Sequence, residues 1–133
     1  YEYDKVHYAN ERYGYLHIPS TVTYIRDGVF STNSAVFVVC EGSYAEQAAI
    51  ESKHIYCFEG QQECVYVPEG AYFFIPQKVI ELISVIHLPG NVNVKDQMDD
   101  YLTENAGHLT FVVPKGSYAE SYAQKKGIPI IFK

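Results

Sequence analysis

The chain has 133 residues, a length that gives one domain and lets roughly 68–70% of the unfolded surface be buried without obligatory staples. Hydrophobic residues are 47% and charged residues 20%, which excludes a wholly disordered chain. Acidic residues number 16 against 10 basic ones, a net charge of −6, so a nucleic-acid backbone or an anionic membrane is repelled on average.

No run approaches the ~18 apolar residues of a membrane helix, so no membrane insertion is expected. Three cysteines, Cys40, Cys57 and Cys64, are too few and odd in number for a disulfide scaffold. The chain opens on Tyr1 and is expected to be a segment of a longer mature protein.

The first element is LHIPSTV at 16–22. Its alternation sends Leu16 and Ile18 inward and His17 outward, and Pro19 stops the strand because it has no N–H for a ladder. Val22, Ile25, Val29 and Phe30 are spaced to bring the chain back around a core. AVFVVCE at 35–41 is the second strand, with Cys40 where the first has proline. GSYAE then starts a helix, with Ser43 as N-cap and Glu46 three residues on, and the chain returns apolar as HIYCF at 54–58.

CVYVPEGAY at 64–72 is a third strand ending at Pro68. IHLPGNV at 86–92 repeats the first element, with Ile86 and Leu88 inward, His87 outward and Pro89 as the stop. AYFFIPQKVIELI and NVNVKDQMDDYLTEN, on either side of it, keep apolar spacing without a clear element type. LTFVVPK at 109–115 is the fifth strand, ending at Pro114. GSYAESYAQKKGIPIIF at 116–132 follows, with Ser117 and Glu120 as a second cap, Gly127 as C-cap and an apolar return.

The two GSYAE segments are related by a constant offset of 74 residues. The strand-ending residues Pro19, Cys40, Pro68, Pro89 and Pro114 are separated by 21, 28, 21 and 25 residues. That averages about 24, within the period of leucine-rich repeats. Coils starting near 14, 35, 63, 84 and 108, with an end cap over 115–133, would stack one corner above another.

IPSTVTYIRDGVF at 18–30 resembles the repeat of the BspA-like leucine-rich-repeat family through Ile18, Pro19, Val22, Ile25 and Phe30. FVVPKGSYAESYAQKKGIPIIF is similar to that family's closing unit. The resemblance implies an α/β fold: a leucine-rich-repeat solenoid with a parallel sheet of about five strands, an irregular or helical convex side and a strand–helix–strand cap. It also implies a non-catalytic module of a secreted or surface-anchored protein, engaged in adhesion to protein or glycan outside the cell.

Other chemistry is weighed against this. His54, Cys57 and Cys64 read H-x₂-C-x₆-C, three soft ligands for zinc. Structural zinc takes four ligands, however, and His54 and Cys57 align with Ile128 and Ile131 of the second copy, so core positions are expected. A Cys57–Cys64 disulfide is the alternative in an oxidising compartment. Cys40 is read as a buried apolar residue at a strand end.

GSYAE lacks the glycines and lysine of a phosphate loop. Asp96, Asp99, Asp100 and Glu104 lack the order of a calcium loop and are expected to form a solvated face. No cofactor and no metal are expected.

Candidate binding residues are those pointing out of the strands: Tyr15, His17, Tyr66 and His87. Two rival functions remain, a structural spacer of a larger secreted protein and a small Rossmann-like α/β enzyme. The second needs helices between strands, and no start signal follows Pro19, Pro68 or Pro89.

Overall fold

The computed structural model describes residues 2–3, 14–25, 35–92, 94 and 96–133. Val29 and Phe30 of the first expected coil lie outside them. β1 (Glu2–Tyr3) pairs in parallel with β3 (Tyr24–Ile25). The main sheet has seven strands in this spatial order: β2 (Tyr15–His17), β4 (Val36–Val39), β5 (Tyr56–Phe58), β6 (Gln61–Tyr66), β7 (Val85–His87), β8 (Thr110–Val113) and β9 (Ile130–Phe132). The sheet is open, with β2 and β9 at its edges. The helices are α1 (Tyr44–Glu51), α2 (Gln77–Ile80), α3 (Asp96–Asn105) and α4 (Tyr118–Lys126). The architecture is therefore mixed α/β with a mostly parallel sheet.

The strands stop where the sequence removes a donor. Ile18, Val67 and Leu88 give their amides to Val38, His87 and Val112 of the neighbouring strand, each at 2.9 Å, and a proline follows each of them. At Cys40, Pro68 and Pro114 the carbonyl then accepts from the amide three residues on, closing a tight turn. The third turn residue is Gly42, Gly70 or Gly116, at φ +79, +81 and +79, as a type II turn requires.

Both GSYAE caps form. The Ser43 hydroxyl accepts from the Glu46 amide at 3.2 Å, and the Ser117 hydroxyl from the Glu120 amide at 3.1 Å. Each glutamate carboxylate reaches one residue beyond the serine, accepting from the Gly42 and Gly116 amides at 2.7 and 2.5 Å. Gly127 ends α4 in the left-handed conformation.

The sheet differs from the expected one in number and direction. It has seven strands rather than about five because the apolar returns HIYCF and IPIIF join it as β5 and β9. All neighbours pair in parallel except β5 and β6, which are antiparallel and joined across Glu59–Gly60. Strands β2, β4 and β5 thus run one way and β6 to β9 the other. The five corners form two sets at opposite ends of the strands: Pro19 with Cys40, and Pro68 with Pro89 and Pro114. A two-residue connection cannot make a parallel crossover, and this forces the reversal.

The reversal also moves the core. Right-handed crossovers that advance in the same spatial order put their helices on opposite faces when the strand direction flips. Ala45 and Ala49 of α1 pack with Leu16, Ile18, Phe37, Val39 and Tyr56 on one face. Val79, Met98, Leu102, Ala119 and Ala123 of the other three helices pack with Val65, Ile86 and Phe111 on the other. Helices α2 and α3 lie in the stretches after Pro68 and Pro89, where no helix start was expected. Of the expected acidic face, Asp100 and Glu104 are exposed and Asp99 is half-buried on the outer side of α3, whose Met98 and Leu102 are buried, while the Asp96 side chain lies outside what is described.

Candidate functional site

Strand register places one residue of each strand in a row across the sheet. On the face covered by α1 the row is Leu16, Phe37, Tyr56, Tyr66, His87, Val112 and Ile131. Leu16 and Phe37 are buried under α1, whereas Ile131 at the far end is 55% exposed. The row on the opposite face runs from the exposed His17 through Val38, Cys57, Val65, Ile86 and Phe111 to Ile130. The first face is thus roofed by α1 over its first half and open beyond, whereas the second is covered as far as Val38 and leaves His17 exposed at its end.

Three rings occupy the middle of the first row. Tyr56 and Tyr66 stack at 5.4 Å between centroids and 14° between planes. Tyr66 and His87 stack at 4.3 Å and 13°. Phe58 leans against both tyrosines, at 5.7 Å from Tyr56 and 5.2 Å from Tyr66. Tyr56 is buried at the margin of α1, and the half-buried Tyr66 and His87 beyond it carry the row's accessible polar groups, a phenol hydroxyl and an imidazole. Helices α2, α3 and α4 contribute to the core on the opposite face, so Tyr66 and His87 remain half-buried beside Val85, Thr110 and Val112.

The row is uncharged near neutral pH. Burial, with the Cys64 thiol beside it, pushes the Tyr66 hydroxyl up to about 12. Burial, then the Glu46 carboxylate, raises that of Tyr56. Burial, helped by the charge of Lys133, holds the His87 imidazole below its ordinary value.

The four candidate residues thus divide. Tyr66 and His87 are directly opposed across β6 and β7 and touch. Tyr15 and His17 lie on the other face of the sheet. Tyr15 is half-buried against the core of the second half and its hydroxyl is raised to about 12, chiefly by burial, while His17 is exposed with its Nε2 3.4 Å from the Gln62 amide. All four point away from their own half's helices, but the halves face opposite ways. Sequence reasoning missed Tyr56 and Phe58; the signal was the alternation in HIYCF, which gave the strand without its neighbour.

The remaining nucleophiles and ligands have structural roles. The His54 ring lies against Phe37 at 4.2 Å between centroids, tilted by 44°, and its Nε2 donates to the Ala35 carbonyl at 2.8 Å. The three thiols are free, and β-pairing sets Cys57 opposite Val65 rather than Cys64. Cys57 is fully buried and pushed up to about 12, mainly by desolvation. Cys40 is partly exposed instead of buried, and its Sγ donates to the Glu59 carboxylate at 3.2 Å, which raises its pKa. Cys64 is also raised, by burial first. Among the described residues no group of three or more metal-ligating side chains converges. No helix among them is long and apolar enough to cross a membrane.

Comparison with protein-family models, curated proteins and solved structures finds no match.

Proposed function

We propose that this chain is a non-catalytic interaction module, built from two short leucine-rich-repeat-like arrays of the BspA-like kind. It acts outside the cell by contacting a protein or glycan. The carrying observation is the stacked pair Tyr66–His87 on the part of the sheet face that α1 leaves open, backed by the buried ring of Tyr56.

Such a row is suited to recognition for a physical reason. Stacking and strand pairing fix the rings, so little side-chain entropy remains to be lost on binding. Their tips offer neutral donors and acceptors, and the flanking Val112 and Ile131 offer apolar area. The thiols, all raised toward the protonated form, support a non-catalytic reading over a nucleophilic one.

The test is binding of the chain to panels of extracellular-matrix proteins and glycans, with wild type and Tyr66→Ala run together. A partner that is held by the wild type and released by Tyr66→Ala is the expected result. Failure to bind across both panels, or binding unaffected by the substitution, refutes the proposal.

A further inference from the structure

The free edge of β9 is the structural duplicate of an edge that this molecule already covers. The Phe37 amide bonds to the Ile55 carbonyl and the Glu59 amide to the Val39 carbonyl, at 3.2 and 2.9 Å. In the second half the Phe111 amide bonds to the Pro129 carbonyl and the Lys133 amide to the Val113 carbonyl, at 2.9 and 3.0 Å. The four residues correspond one to one at the 74-residue offset, so β9 lies on β8 as β5 lies on β4.

Residues that alternate with those bonded inward turn their backbone groups outward. In β5 these are Tyr56 and Phe58, and both pair with β6, opposite Tyr66 and Gln61. Their counterparts are Ile130 and Phe132, and among the described residues no strand pairs with them on that side. Cys57 is fully buried, while its counterpart Ile131 is 55% exposed and Phe132 49%.

Charge indicates what fits. The strand that covers β5 follows Glu59, whereas the corresponding position beyond β9 is Lys133. Lys115, at the end of β8, and Lys133 are both exposed. Residues 115–133 hold four lysines against the carboxylate of Glu120, and although Lys126 is paired with Asp99 of α3, the segment stays basic in a chain of net charge −6. Two copies meeting β9 to β9 would bring like charges together, and an acidic partner would not.

We infer that β9 is a docking edge for an extended segment of another protein chain. The segment has alternating apolar residues with acidic residues near its start, and adds as an antiparallel strand as β6 does at β5. This edge is read through the outward backbone of Ile130 and Phe132 and shares only Ile131 with the row that holds the aromatic stack, so it stands whether or not that stack binds anything.

The probe is a fluorescent peptide of residues 59–69, which brings Glu59 and Glu63 near its start, carrying Cys64→Ser and added to the whole chain, with a scrambled peptide as control. Binding is read by anisotropy, and amide exchange is read by NMR. The expected result is saturable binding of the ordered peptide, with slowed exchange at Ile130 and Phe132. Phe132→Pro, which removes an outward donor, should weaken binding about tenfold, and Phe132→Ala, which keeps it, should weaken it less.

Lys133→Glu at an exposed site covers the case in which the proline variant misfolds, and should also weaken binding. No binding, equal binding of the scrambled peptide, protection at Tyr56 and Phe58 in place of Ile130 and Phe132, or protection of β9 by self-association without peptide overturns the inference.

Discussion

Tyr66 and His87 face each other directly across β6 and β7, with centroids 4.3 Å apart and planes within 13° of parallel. The pair should therefore behave as one unit. In a double-mutant cycle of Tyr66→Ala and His87→Ala, denaturant unfolding should give a coupling energy of about 0.5–1.5 kcal/mol. Additive losses would show that the rings are adjacent but energetically independent.

The same stack makes stability sensitive to acid. Burial and Lys133 hold the His87 imidazole below its ordinary value of 6.5, so the unfolded chain takes up a proton more readily than the folded one. Stability carried by the neutral ring is fully present above pH 6.5 and is lost as pH falls through the folded value. His87→Gln should flatten this part of the profile. Unfolding free energies of both proteins measured between neutral and acidic pH would show it, and parallel curves would contradict it.

The strands and both helix caps are legible in the sequence because they are set locally. A proline or cysteine ends each run, and serine followed by glutamate starts each capped helix. The reversal between halves is not legible from the repeat, since a 74-residue offset says that two segments fold alike and nothing about their relative direction. Its signal lay elsewhere, in Glu59–Gly60 between the runs that become β5 and β6, a connection long enough only for a hairpin. That one turn decides that Tyr15 and His17 lie on the opposite face from Tyr66 and His87. Helix α3 was hidden for another reason: its acidic outer side masks the i, i+4 pair Met98 and Leu102 that faces the core.

Asp99 on that outer side ties α3 to α4. Its carboxylate accepts from the Tyr122 hydroxyl at 2.5 Å and lies 2.9 Å from the Lys126 ammonium. The Tyr122 hydrogen bond, then that from Lys126, holds the Asp99 carboxyl below its ordinary 3.8. The stabilisation is present above that value and is lost as pH falls through the lowered one. Asp99→Asn should be less stable than wild type at neutral pH, and the two thermal midpoints should converge in strong acid. A difference that persists unchanged into strong acid would mean that the charge is not what Asp99 supplies.

Gly14 shows how closely the second half presses on the first. It precedes β2 at φ +86, and a β-carbon there would stand 2.5 Å from Val79 Cγ2 and 3.3 Å from Pro76 Cβ, beneath α2. Val79 is fully buried and has no room to withdraw. Gly14→Ala therefore meets both a left-handed backbone and a clash, and should cost more than about 2 kcal/mol. Gly42→Ala is the control, because its φ is +79 but nothing lies within 4 Å of the added carbon. It should lose only the backbone term, about 1 kcal/mol. Chemical denaturation of the two variants separates these terms. Equal losses would mean that α2 moves aside at little cost, and that residues 71–80 cover β2 and β4 less firmly than their burial implies.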